Sequence, residues 1–190
     1  MLQYAETICV DAKIGHVPHV VSALSDLENA GAWVTEVGQL NQLLLFYSSS
    51  NLLDLQRQRA ALLAKIPQEF ILQTDITTWR VIAPVLPMGV YGQAYEWRCY
   101  HVLPNEMEKV EREFLSALNR RVEVSPLMCG LISLEGTPRI AHLWPYGDVK
   151  DRQEKRAQAV AAGGWPPKVA PYLYKMKNAL LSPLASSQWK

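Results

Sequence analysis

Residues 139–157 read RIAHLWPYGDVKDRQEKRA, an apolar run ending at Pro145 and followed at once by charged residues. The first part suits a strand and the second a helix, with Asp148 placed to cap it. The stretch has an echo earlier in the chain. Moved back 98 residues, Leu143 falls on Leu45 and Trp144 on Phe46, while Gly136 upstream falls on Gly38. Moved back 97, Gln153, Arg156, Ala157 and Ala161 fall on Gln56, Arg59, Ala60 and Ala64. Tyr95 answers Tyr4 at a shift of 91, and Pro183 answers Pro84 at 99. The order and slow drift of these matches read as two copies of one unit.

Each copy then predicts the same elements. In the second, the aromatic-rich Tyr95–Val102 is a strand closed by Pro104. Asn105, with Glu108 three residues on, caps a helix carrying the stripe Met107, Val110, Phe114 and Leu118. Leu127 to Glu135, the turn Gly136-Thr137-Pro138 and Arg139–Trp144 form a hairpin, with Pro145 as the strand stop. The charged helix from Asp148 stops at Gly163-Gly164. Tyr172–Leu181 is expected as the fourth strand, although its composition suits a helix equally. In the first copy the strands are Tyr4–Val10, Trp33–Val37, Gln42–Tyr47 and Ile76–Ile82, and the helices His16–Ala30 and Asn51–Lys65. The order is βαββαβ twice, the ferredoxin-like arrangement. Leu86–Gln93, with Pro87, Gly89 and Gly92, shows neither period and reads as a linker, giving units at 1–85 and 94–190. A ferredoxin-like sheet has helices on one face only, so its other face needs cover. Two such units in tandem predict an α+β fold, an intramolecular α+β barrel with the faces turned away from the helices lining a shared interior.

Composition excludes several classes. The 190 residues are 49% hydrophobic and 19% charged, with a net charge of +1. Residues 1–94 hold 5 Lys/Arg against 8 Asp/Glu, and residues 95–190 hold 14 against 10. The basic residues are interleaved with acidic ones, so no nucleic-acid footprint is expected. Cys9, Cys99 and Cys129 are odd in number and widely spaced, which argues against both a disulfide framework and a zinc knuckle. No leader pattern is evident, and no run approaches the ~18 apolar residues a membrane span needs. The expectation is a cytoplasmic protein with no membrane span.

YEWRCYHVLPNEMEKVEREF (95–114), HLWPY (142–146), RAQAVAAG (156–163) and LLSPL (180–184) together resemble the NIPSNAP family, whose members carry a YELRxY-like first strand and an HLWPY-like third strand. The resemblance covers about residues 95–185, and residues 4–86 only weakly. It implies a fold of the dimeric α/β-barrel group, which includes small cofactor-independent oxygenases and haem-degrading enzymes. It does not specify a reaction, because fold does not carry function across such a group. Eukaryotic members are associated with mitochondria and vesicle traffic and bacterial members have largely unassigned roles; the lack of a transit peptide makes this chain look like the latter.

The candidate site follows from strand alternation. Glu96, Arg98 and Tyr100 share one face of their strand, and Ile140, His142 and Trp144 one face of theirs. If these look into the barrel, they form a polar set with Trp144 as an apolar wall: His142 as the candidate catalytic residue, through proton transfer, and Glu96, Arg98, Tyr100 and Trp144 as ligand-binding residues. That reading predicts an enclosed cavity of roughly 300 Å³ or more touching Arg98 and His142. The competing reading is a buried ion pair and a hydrogen-bonded core histidine. Leu44 stands where His142 does, and Thr7 or Ile8 where Arg98 does, so any site belongs to the second copy alone. His16 and His19 have metal-like spacing without a third ligand, His101 points away from His142, and Cys129 reads as a small buried hydrophobe. No metal and no cofactor are expected, and no Soret shift with haemin. The functions in view are a small-molecule-binding protein, a non-catalytic interaction or scaffold protein, and a cofactor-independent oxygenase- or isomerase-like enzyme. A homo-oligomer is compatible with each.

Overall fold

A computed structural model describes residues 3–190. Eight strands and four helices follow the expected order: β1 (Tyr4–Ala12), α1 (Val17–Ala23), β2 (Gly31–Val37), β3 (Gln42–Ser49), α2 (Leu52–Lys65), β4 (Ile71–Ala83), β5 (Ala94–Val102), α3 (Met107–Val124), β6 (Cys129–Ser133), β7 (Arg139–Tyr146), α4 (Val149–Ala161) and β8 (Leu173–Pro183). The strands run in the hydrogen-bonded order β1-β3-β2-β8-β5-β7-β6-β4, and the β4–β1 ladder closes it, as the expected α+β barrel requires.

The chain divides into two compact units. The first comprises the residues up to Arg80 together with Met88–Val90 and Ala179–Lys190; the second comprises Val81–Pro87 and Tyr91–Asn178. Within the first, β3 pairs with β1 and β2, β4 with β1, and the end of β8 with β2. Its core is Ile8, Val10, Val20, Leu24, Leu43, Leu45, Leu55 and their neighbours under α1 and α2. Within the second, β7 pairs with β5 and β6. Tyr100, Val102, Val110, Phe114, Ile140 and Trp144 form its core under α3.

Local chemistry accounts for most boundaries. Asn51 and Asp148 cap α2 and α4, accepting from the Leu53 and Asp151 backbone N–H groups, which satisfies donors the helix leaves free. In α3 the buried residues Val110, Phe114, Ala117, Leu118 and Arg121 recur at helical spacing, so one stripe faces the sheet. The segment left open between strand and helix is a strand, β8.

Three expectations need correction. Asn105 does not cap α3: it adopts the left-handed region at φ 65°, and Glu106 precedes the helix without a side-chain cap bond. The first helix ends at Ala23 rather than Ala30, because the chain turns through Asn29, at φ 55°, into β2. Pro145 does not stop its strand. It pairs with Tyr95 inside β7, whose ladder with β6 is already finished at Leu143, so on that side no partner strand requires an N–H from residue 145.

Candidate functional site

The β5–β7 register places Glu96 opposite Trp144, Arg98 opposite His142 and Tyr100 opposite Ile140. Cross-strand partners share a face, so the six side chains form one patch. The patch lies on the helix side of the sheet, not turned away from the helices as expected: Phe114 of α3 lies 5.1 Å from the His142 ring, and Arg152 of α4 donates to Glu96 at 2.5 Å. The alternation was right and the side of the sheet was wrong, because period-two patterning separates two faces without saying which one the helices cover.

Glu96 anchors the patch. Its Oε1 accepts from Arg98 at 2.9 Å and from Arg152, and Arg156 approaches it at 3.6 Å. Burial alone would raise this carboxyl. The Arg152 hydrogen bond and the Arg98 charge outweigh it and hold the group at about 2. Arg98 also donates to the Tyr100 hydroxyl at 2.7 Å, so the i, i+2, i+4 series along β5 is hydrogen-bonded end to end.

The anchor recurs in the first unit. Glu6 occupies the same place in β1 as Glu96 in β5, opposite Tyr47 of β3, and is bonded by Tyr47, Thr78 and Arg59 of α2. Arg59 lies 97 residues before Arg156, the same shift that relates β3 to β7. The strand glutamate held by a helix arginine is therefore common to both units, and the remaining positions are not. Ile8 faces Leu45 where Arg98 faces His142, and Val10 faces Leu43 where Tyr100 faces Ile140. His142 thus corresponds to Leu45, one residue on from the Leu44 expected, because β3 and β7 align at a shift of 97.

His142 is buried, and its Nδ1 accepts the indole N–H of Trp144 at 2.5 Å. An indole N–H can only donate, so Nδ1 is unprotonated and the neutral ring carries its hydrogen on Nε2. Burial, aided by the Arg98 charge, depresses the ring to about 3 and keeps it neutral through the physiological range. In this tautomer His142 is a hydrogen-bond donor. Gly130 faces it from β6, where a Cβ would crowd Ala83 at 3.2 Å and only touch Phe114 at 3.4 Å.

A cavity of about 140 Å³ opens beside these groups, lined by Arg98, Tyr100 and His142 on the sheet, Phe114 of α3, and Trp165, Pro166, Pro167, Val169 and Ala170 after α4. It is under half the ~300 Å³ expected and near the volume that holds a benzene in an engineered core cavity. It is too small to take a haem as it stands. Glu96 and Trp144 do not line it; they hold Arg98 and His142 in place.

Sequence reasoning missed Arg121. This arginine is buried on the α3 stripe, donates to Ser125 at 2.5 Å and Tyr146 at 3.0 Å, and lies 4.2 Å above the Trp144 ring. It has no carboxylate partner among the described residues, and its Nε has no hydrogen-bond partner. The signal was present: residue 121 falls at i+7 from Phe114, where an apolar side chain was due. Trp165, which also escaped notice, sits 5.7 Å from the same guanidinium.

The other candidates are apart from this patch. The His16 and His19 rings pack against Phe70 at 5.0 and 4.6 Å, and no group of metal-ligating side chains occurs among the described residues. Cys129 is fully buried, which pushes its thiol up and keeps it protonated. His101 lies beside Tyr174. No helix among the described residues is long and apolar enough to cross a membrane.

The fold defines the class first. A candidate monooxygenase of Lactobacillus acidophilus superposes with a TM-score of 0.69 at 4% identity over 100% of this chain and 98% of its own. One from Fusobacterium nucleatum gives 0.68 at 9% identity over 96% and 93%. At such identities the likeness is one of fold. Residues 95–188 match the NIPSNAP family model, and NipSnap homolog 1 of Danio rerio is 30% identical over 97 residues, 49% of this chain and 35% of that protein. The similarity to NIPSNAP proteins is thus confined to residues 95–188, and the chain matches about a third of that relative's length.

Proposed function

We propose that the second unit binds a small, partly apolar ligand in the cavity beside Arg98, Tyr100 and His142. One observation carries this reading. At the equivalent positions the first unit is closed by Ile8, Val10 and Leu45, all fully buried, whereas the second has polar side chains bordering a void. Burying a histidine and an arginine costs stability unless each is satisfied, and apolar side chains fill these places in the first unit. In the proposal Glu96 and Trp144 position the binding groups, and His142 donates its Nε2–H to the ligand, a role that also serves a reaction developing negative charge.

A second reading, an interaction protein in which the patch is packing, is favoured by one feature: Arg98 already has two partners and the cavity is small. The two separate by experiment. His142→Leu and Arg98→Ile install what the first unit carries. Screening single-ring fragments against the full chain by ligand-observed NMR should find binders, with affinity falling at least ~10-fold in each variant while circular dichroism and melting stay near wild type. Fragments that bind the variants unchanged, an absence of binders, or unfolding of His142→Leu would favour packing.

A further inference from the structure

Building on that reading, we infer that the cavity's ligand is a small monocarboxylic acid with a one-ring or short branched body, bound as its anion. Three independent features point the same way. No carboxylate and no side-chain amide lines the cavity. Its three polar side chains all have hydrogens to offer: Arg98 keeps three of its five N–H groups after bonding Glu96 and Tyr100, Tyr100 accepts from Arg98 and so directs its own O–H elsewhere, and His142 carries Nε2–H. A ligand satisfying these groups must be an acceptor, and a planar carboxylate matches the guanidinium fork.

The charge balance favours a negative acceptor over a neutral one. Arg98, Arg152 and Arg156 all direct their ion pairs to one oxygen of Glu96. Arg121, buried and held by Ser125, Tyr146 and the Trp144 and Trp165 rings, adds a fourth cation with no anion of its own among the described residues. Three guanidinium groups share one carboxylate, and the fourth has none among the described residues. The remaining lining, Phe114, Ile140, Trp165, Val169, Leu173 and Met176, is apolar, and about 140 Å³ limits the body to roughly one ring.

Benzoate, benzamide and benzamidine share a ring and a planar head and differ in charge, so they test the inference on the full chain. Binding is read by ligand-observed NMR and by the ¹⁵N shifts of the His142 ring. Benzoate is expected to bind at least ~10-fold more tightly than benzamide and to move the His142 resonances, with benzamidine excluded. Arg98→Ile should remove that preference and leave benzamide within about 2-fold; should this variant fail to fold, the wild-type ratio of benzoate to benzamide decides by itself. Equal binding of benzoate and benzamide would overturn the carboxylate inference and leave the pocket standing. Failure of all three probes to bind would overturn both.

Discussion

The two units are built on one plan and differ beside one residue pair. In both, a strand glutamate is held by an arginine from the second helix, Glu6 by Arg59 and Glu96 by Arg152 and Arg156. Two places along the strand, the first unit continues its core with Ile8 and Leu45, and the second turns to Arg98 and His142. The shared ion pair is thus architecture, since it recurs without the neighbours that would make it a site. What distinguishes the second unit is a polar pair where the first has an apolar one, and a void beside it.

The comparison is open to tests of graded size. The largest effect is expected at the anchors. Glu96→Gln leaves three arginines facing a neutral amide in a buried position and should cost about 3–5 kcal/mol. Glu6→Gln strands a single arginine, whose half-exposed side chain can turn to water, and should cost about 1–3 kcal/mol. Urea unfolding of both variants checks the order. Equal costs would mean that the extra arginines of the second unit place no additional demand on their glutamate.

Acid should then separate the units. Folding lowers His142 from 6.5 to about 3, so below pH 6.5 the unfolded chain binds a proton that the folded one does not, and stability falls from there toward pH 3. Glu96, lowered from 4.5 to about 2, contributes fully above pH 4.5 and loses its contribution between 4.5 and 2. By pH 4 the histidine alone accounts for a loss on the order of 3 kcal/mol. Amide protection factors, corrected for the slower intrinsic exchange in acid, should fall in β5 and β7 between pH 6.5 and 4 while those of β1 and β3 hold. His142→Leu should abolish the difference; an acid response unchanged in that variant would remove the histidine from the account.

The smallest effect should be alike in the two units. Asn51 and Asp148 cap corresponding helices through the same kind of bond, so Asn51→Ala and Asp148→Ala should each cost about 1 kcal/mol in thermal unfolding. A much larger loss for Asp148 would show that α4, which carries Arg152 and Arg156 to Glu96, transmits its own fraying to the patch.

Much of this was legible in the chain. Aromatic and β-branched runs marked the strands, Asn51 and Asp148 marked two helix starts, and alternation put Glu96, Arg98 and Tyr100 on one face of their strand and His142 with Trp144 on one face of theirs, while the register between the two strands came from the structure. The recurrent glutamate was not legible: the tyrosine match suggested a shift of 91, whereas β1 and β5 align at 90, and a single residue of drift conceals Glu6 behind its neighbours. Arg121 was hidden for a different reason. A stripe read for apolar residues passes over a charged one, and the rings that accept its guanidinium are Trp144 on a strand and Trp165 in a connection, 23 and 44 residues further along the sequence.

By itself the sequence determined the order of elements and the resemblance of residues 95–188 to NIPSNAP proteins, because these depend on local periodicity, caps and short motifs. Only the tertiary structure decided which face of the sheet the polar set occupies, that its glutamate is shared and its histidine is a donor, and how small the cavity is. Those depend on which helix crosses which strand and on how far side chains distant in sequence fill the space between them, and pairwise packing of that kind leaves no period in the chain.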